Sequence, residues 1–389
     1  MNRSSMQQNK RLQRRHRADR RFKYYGMAAI AFALSFLAFF FVDIIGKALP
    51  AFEQAYIQVP INYNGEVKDN YNKAIPRSYR YLVSRSYLRS LPQKLEKYPE
   101  LLGTTEQTWV LASYRVDQYI KGHKGHGLKS KYRPHVEEML QNKKIELRFN
   151  KQFFTHGDSK MAETAGVLAA AIGSILTLLI TMAVSVPIGV MTAIYLEEFA
   201  GDNRFTQAIE VNINNLAAIP SILYGLLGLA IFINIVGVPR SSALAGGLTL
   251  ALMTLPVIII TTRAALRSIP DSIRDAAYGL GASNLQTVWH HVLPLAFPGI
   301  LTGSIIGLAQ AMGETAPLLI VGMMAYIPEA PSGIFDATTV LPAQIYTWSS
   351  ESIRAFEERT AAGIIVLLTV LLSLNALAVW LRNRTQKTW

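Results

Sequence analysis

Long uncharged apolar runs alternate with charged segments along this chain. The uncharged runs are Thr164–Leu196, Val211–Pro239, Ser241–Thr262, Ala276–Gly313 and Thr360–Leu381, and Tyr24–Gly46 contains only Asp43. A helix needs about 20 predominantly apolar residues to span a bilayer. Buried helices of soluble proteins rarely run that far without a charge. The pattern predicts an all-α polytopic membrane protein with six spans, near 24–46, 164–196, 212–237, 242–262, 295–325 and 361–381.

Charge then sets an expected topology. Residues 1–23 hold nine Lys/Arg against one Asp, directly before the first span. A basic flank of this kind keeps the N-terminus in the cytoplasm. The run after it is long, contains FLAFFF and lacks a small-residue cleavage site, so it reads as an uncleaved span rather than a signal peptide. Counting places 47–160 outside, 197–211 inside, the GVPRS turn outside, 263–294 inside, 326–360 outside and the C-terminus inside. Arg263, Arg267 and Arg274 on one inside segment, and Arg382, Arg384 and Lys387 on the other, agree. The 47–160 segment carries +9, but loops beyond about 60 residues translocate largely regardless of charge.

The expected domains are a basic cytoplasmic tail (1–23), a first transmembrane helix (24–46), an inserted extracytoplasmic domain (47–160) and a core with five further spans (161–383). Within that core lies a cytoplasmic loop, 263–294. The insertion is expected to be mixed, with a strand in IELRF and a helix in SLPQKLEKYPELL. Its GHKGHG turn places His123 and His126 three apart with no third ligand nearby, which favours a flexible basic loop over a metal site. Attraction to anionic lipid accounts for the basic tail without nucleic acid. The absence of cysteine excludes disulfides, thiolate metal sites and cysteine nucleophiles.

The loop TTRAALRSIPDSIRDAAYGLGASNLQTVWHHVLPLAFPGI carries the most local information. Ser268, Pro270 and Asp271 form a helix start. Gly279 and Gly281 interrupt, and a left-handed cap suits glycine. Ser283 can cap a second helix with Leu285, Val288, Trp289 and Val292 on one face. Pro294 and Pro298 lead into the fifth span. A helical hairpin of this kind suits docking into a groove on a soluble partner.

DAAYGLGASNLQTVWHHVLP resembles the EAA loop of ABC-importer permeases. Asp275, Ala276, Ala277, Gly281, Leu293 and Pro294 match at the family's spacing, with Asp275 in place of Glu and His291 in place of Ile. IPSILYGLLGL, LPVIIITTRAALRSIP and GETAPLL resemble the phosphate-importer permeases, the last of them the PstA type. The resemblance covers about Thr164–Leu381, and 1–150 fits the extra domain of longer PstA-like chains. It implies a type I ABC-importer permease fold in a bacterial inner membrane. It also implies a PstC-like second permease, a PstB-like ATPase dimer using ATP and Mg, and a PstS-like phosphate-binding protein. In that family the loop sits in a cleft of the ATPase. The permease is no enzyme and binds no cofactor itself, and the chain has no GxxxxGK[ST] phosphate loop.

Glu314, in GLAQAMGETAPLL, is the only formal charge between Asp275 and Glu329. A carboxylate central in a span costs about 2.5–3.5 kcal/mol on insertion scales and faces a pathway or a partner. Its helical neighbour Gln310 cannot neutralise it, whereas members of the family often carry Arg there. A bare Glu repels phosphate, so the expected role is gating or pairing between subunits. Gly313 permits close approach, Thr315 can donate a hydrogen bond, and Pro317 frees a carbonyl. Gly303 and Gly307 have the spacing of tight helix packing. Asn212, Asn214 and Asn215 are expected to begin the third span, and Gln344, Tyr346 and Trp348 to lie at the outer surface. Two alternatives stand beside phosphate import: an ABC permease for sulfate, molybdate or phosphonate, and a secondary transporter with Glu314 as its proton site.

Overall fold

The computed structural model describes residues 3–385, so Lys387 and the first two residues of the basic tail lie outside it. Helix α1, Arg3–Ala48, carries tail and first span as one element. Its apolar side chains are exposed along most of its length, as suits a helix facing lipid. Contact with the rest of the chain comes at its end, where Ala48 and Ala51 pack with Phe356 and Ala362.

The inserted domain is built on β1 (Glu53–Asn62), flanked antiparallel by β2 (Thr105–Leu111) and β3 (Ile145–Phe149). Ala55, Ile57, Val59 and Ile61 alternate into its core with no exposure, the two-residue period of a half-buried strand. Pro60 lies in this central strand without breaking it. Its nitrogen points toward β3, as does the Gln58 N–H, which bonds the Lys144 carbonyl at 2.9 Å. The β3 pairing ends at Ile57, so no ladder bond is lost there. Helices α2 (Arg85–Lys97), α3 (Tyr114–Ile120) and α4 (Arg133–Gln141) complete the domain. The IELRF strand is as expected. The expected helix starts earlier, at Arg85 behind the Ser84 cap, and ends at Lys97.

After the short α5 (Lys151–Thr155) the core comprises α6 (Leu168–Ile194), α7 (Arg204–Ala217), α8 (Ser221–Gly228), α9 (Ala243–Arg267), α10 (Asp271–Gly279), α11 (Asn284–Thr287), α12 (Leu293–Gly313), α13 (Ala316–Ile320), α14 (Leu341–Ser349) and α15 (Ala355–Thr385). Glycines set how closely the spans approach. A Cβ on Gly247 would lie 2.6 Å from Ile180, and one on Gly189 2.8 Å from Ile258. These pairs rise together in number, so α6 and α9 run parallel. Gly299, Gly303 and Gly307 meet Ala265, Thr261 and Ile258, so α12 runs antiparallel to α9. Of the expected glycine pair, Gly303 marks a real close contact, whereas a Cβ on Gly307 would lie at an ordinary 3.5 Å from Ile258.

Because α6 and α9 are parallel, the chain between them crosses back once. The single helix expected at 212–237 is instead two, α7 and α8, bent by 105°. Pro220 has no N–H to offer the Leu216 carbonyl, and its ring crowds that carbonyl. That carbonyl accepts the Ile219 N–H at 3.1 Å and the Tyr224 hydroxyl at 2.8 Å. Asn212, Asn214 and Asn215 therefore close α7 rather than open a span. Counting the bent pair once gives six crossings among the described residues.

The fifth expected span, 295–325, also differs at both ends. Helix runs continuously for 30 residues from Asn284 to Gly313, through a π-helical turn at Val288–Val292. That turn contains His290, whose carbonyl the Pro294 ring would otherwise crowd. Pro294 therefore does not separate loop from span. At the far end Pro317 cannot donate to the Gly313 carbonyl, and α12 stops there.

The inserted domain is locked to the core by buried polar contacts. Lys121 Nζ lies 2.7 Å from Asp117 and 3.3 Å from Glu358, and His123 Nε2 is 2.6 Å from Glu358. The GHKGHG turn is thus anchored rather than flexible. His126 Nδ1 accepts from the Leu128 N–H at 3.0 Å. Trp348 donates to Asp158 at 2.8 Å, and Gln344 donates to the Gly166 carbonyl at 2.8 Å. Burial pushes the Asp158 carboxyl up, and the hydrogen bonds from Trp348 and Ser159 draw it back. Gln344 and Trp348, expected at the outer surface, are buried structural residues, while Tyr346 is half exposed. Glu358→Ala would leave Lys121 with one carboxylate and His123 with none. Breaking a buried pair this way costs about 3–5 kcal/mol, so thermal unfolding in detergent should shift to lower temperature by many degrees. Lys121→Met/Glu358→Leu should shift it less, because no charge is left stranded.

Candidate functional site: coupling hairpin and helix breaks

On the side of the core opposite the inserted domain, α10 and α11 form the expected hairpin. Gly281, at φ +85°, makes the turn, whereas Gly279 closes α10 in ordinary helical geometry. Ser283 and Gln286 form a reciprocal capping box, with bonds of 3.3 and 2.9 Å. The four apolar residues expected on one face divide. Val288 and Val292 are buried, Val292 with Leu266, Ala296 and Ile300, while Leu285 and Trp289 are each 64% exposed. At about 100° per residue, 288 and 292 lie on one edge of the stripe and 285 and 289 on the other. The end of α9 covers only the first edge. Leu280, 91% exposed, and Tyr278 extend the uncovered side into one apolar knob. Asp275 and Ala276 are exposed beside it, and Ala277 is buried. Asp275 has no ion pair among the described residues. Leu293 is half-buried and Pro294 exposed at the root of α12.

Arg274 fastens this hairpin to the spans. It forks onto Glu198, with Nη2–Oε1 at 2.7 Å and Nε–Oε2 at 3.1 Å. It also donates to the Leu266 carbonyl at 3.0 Å and the Ile269 carbonyl at 2.9 Å, groups left open where α9 ends. The hydrogen bonds it donates to Glu198 raise the Arg274 pKa above its ordinary value. A second node lies alongside. Arg263 joins Glu197 at 3.2 Å and Glu210 at 2.6 Å, and Arg267 joins Glu197 at 2.7 Å. The ends of α6 and α9, helix α7 and the hairpin are thereby tied in one ionic belt. Sequence reasoning used the arginines for orientation alone and missed Glu197, Glu198 and Glu210. Opposite charges clustered at two loops on the same side were the available signal.

The other end of the continuous helix leads to the second feature. Glu314 is not mid-helix. It caps α12 in extended geometry, φ −77° and ψ 131°, where the helix unwinds. Met312, just before it, packs with Leu178 and Leu250. Leu250 is about 10 Å along α9 from its start, so the break lies inside the apolar layer. Gln310 and Gly313 are exposed, Glu314 and Thr315 half-buried and Pro317 buried. Glu314 forms no ion pair among the described residues. A Cβ on Gly225 would lie 2.7 Å from Pro317 Cα, so α8 and α13 touch backbone to backbone. The two broken elements of the core therefore meet. Irregular backbone at membrane depth is tolerated where protein buries it or where it lines a cavity. The structure gathers Glu314, Thr315, Gln310, Gly313 and Pro317 at one break and places the hairpin residues at the opposite end of the same helix.

Comparisons with known proteins agree with this geometry. The profile for "Binding-protein-dependent transport system inner membrane component" matches residues 164–387, and a domain of unknown function, DUF3333, matches 9–78 and 62–129. The chain is similar to "Probable ABC transporter permease protein YqgI" of Bacillus subtilis, 31% identical over 61% of this chain and 84% of that one. It is also similar to "Phosphate transport system permease protein PstA" of Mycobacterium leprae, 37% identical over 47% of this chain and 59% of that one. "Phosphate transport system permease protein PstA 1" of Mycobacterium tuberculosis is 32% identical over 56% and 70% of the two chains. With more than half its length matched, the chain belongs to the binding-protein-dependent transport system inner membrane component family of ABC-importer permeases.

Proposed function

We propose that this chain is the PstA-type permease subunit of an ATP-driven importer of inorganic phosphate. The observation that carries the permease reading is the hairpin: an uncovered apolar knob at Leu280, Leu285 and Trp289, held to the spans by Arg274. The names of the PstA relatives support phosphate as the cargo. Family membership brings an ATPase and a substrate-binding protein as partners. The specific set is a PstC-like second permease, a PstB-like ATPase dimer on the hairpin and a PstS-like binding protein on the inserted-domain side. Both chain ends then lie in the cytoplasm, with 47–160 outside.

The mechanism follows from the mechanical path. Closing the ATPase dimer moves the knob. Arg274 passes that motion to Glu198 at the end of α6 and to the end of α9. The unbroken helix from Asn284 carries it to Gly313, where the backbone changes direction. Glu314 sits at that hinge and, with no ion pair among the described residues, pairs with a group on the second permease in one state of the cycle. Thr315 supplies a donor beside it. An anion pathway between two permeases is opened and closed by such a pairing without Glu314 touching phosphate.

The complex reconstituted in liposomes should take up phosphate only with ATP inside the compartment facing the ATPase; uptake by this chain without an ATPase would overturn the reading. Leu280→Asp should lose the ATPase in copurification while leaving the unfolding temperature unchanged. Arg274→Ala should retain the ATPase but lower ATP-driven uptake about tenfold or more. Glu314→Gln should leave ATPase binding intact and alter uptake by a comparable factor, read as phosphate transported per ATP hydrolysed.

A further inference from the structure

A cleft of about 720 Å³ opens between the inserted domain and the start of the core, and the mechanism above does not use it. Arg77, Arg80, Arg85, Arg89, Arg115 and Lys160 line it. None of these six is in an ion pair among the described residues, although ion pairs bind the arginines of the opposite face. Six cations converging without a counter-charge repel one another, and a concave wall focuses their field. Two of them are held in place. The Arg115 guanidinium stacks on Tyr81 at 4.9 Å and Tyr114 at 4.5 Å. Arg80 Nε donates to the Ile75 carbonyl at 3.1 Å, which leaves the terminal nitrogens of its fork available. Planar guanidinium forks match phosphate oxygens two at a time.

One lining residue is acidic and is independent of that cluster. Glu163 is 95% buried, and its Oε2 has no hydrogen-bond partner among the described residues. Burial pushes its carboxyl up, with Ser84 and Arg359 among the groups that draw it back. A carboxyl against an anion needs one shared proton. A hydrogen phosphate brings that proton at neutral pH, whereas sulfate does not.

We propose that this cleft is a binding site for a phosphate group, held by the arginine forks and matched through a shared proton by Glu163. Its volume is that of a small-ligand site rather than a flat protein contact. The group comes either from a free anion, orthophosphate or a short polyphosphate, or from the headgroup of an anionic phospholipid, whose phosphate carries no choline counter-charge, at the adjoining membrane surface. The site stands on the cleft alone and does not depend on what the spans carry.

The full chain is placed in phosphatidylcholine nanodiscs without the ATPase, and binding of orthophosphate and tripolyphosphate is titrated calorimetrically. Saturable binding supports the free-anion source. Binding that disappears when phosphatidylglycerol is added to the disc supports the headgroup source. In both cases the exposed-residue variant Arg85→Gln/Arg89→Gln should weaken binding about tenfold or more with an unchanged unfolding temperature. Glu163→Gln should narrow the preference for phosphate over sulfate. No saturable binding of phosphate with no selective retention of phosphatidylglycerol would overturn the proposal, as would binding indifferent to Arg85→Gln/Arg89→Gln. So would association with an intact binding protein and with neither phosphate source. Because no ATP is present, these outcomes are read separately from any failure of transport.

Discussion

Every backbone polar group inside the apolar layer must find its partner within the protein. That constraint makes the crossings helical and also governs where they stop being helical. At Pro220 the Leu216 carbonyl loses its helical donor and is satisfied by the Ile219 N–H and the Tyr224 hydroxyl. At Pro317 the ladder ends at Gly313, and the unwound segment is pressed against α8 through Gly225. Two costly irregularities are thus placed side by side, each helping to bury the other. The only charge of the spanning region between the hairpin and the outer loop lies in one of them.

The glycines decide how rigidly motion passes between elements. With Gly247 and Gly189 between α6 and α9, and Gly299 and Gly303 between α9 and α12, the three helices contact at backbone distance. Close-packed backbones have few soft side chains between them, so a displacement at one end is carried along the bundle. The ionic belt performs the same task at the hairpin end. Arg274 satisfies carbonyls at the end of α9 and a carboxylate at the end of α6 with one guanidinium. The hairpin is therefore an extension of the bundle, with its outer edge left bare for a partner.

The inserted domain has its own hydrophobic core, from Ala55 to Ile145, and a polar junction with the permease. Lys121, Asp117, Glu358 and His123 form that junction, together with Asp158–Trp348. A junction built from buried charge holds orientation, because Lys121 meets both Asp117 and Glu358 in one arrangement only. The orientation it holds sets the basic cleft over the start of the core, with Glu163 and Ile353 contributed from the core side.

What the sequence determined alone was local in origin. Uncharged run length located the crossings, because hydrophobic thickness is a one-dimensional measure. Glycine, proline and capping residues located the hairpin turn, because turn chemistry acts over a few residues. The strand β1 was not predicted: Pro60 interrupts its alternation, and that proline is harmless only because of where a strand nearly a hundred residues away stops pairing. Tertiary structure alone decided the rest. It chose which edge of the 285–292 stripe is covered, bent the third crossing, moved Glu314 from mid-helix to a helix end, and buried Gln344 and Trp348. It also turned Arg263 and Arg274 from orientation signals into a clamp by bringing Glu197 and Glu198 to them. Pro220 and Pro317 mark the two breaks locally, but Pro187, Pro256 and Pro298 lie inside continuing helices, so the presence of a proline does not say which helix stops. The other outcomes depend on partners far along the chain, and no periodicity or spacing within one segment carries that information.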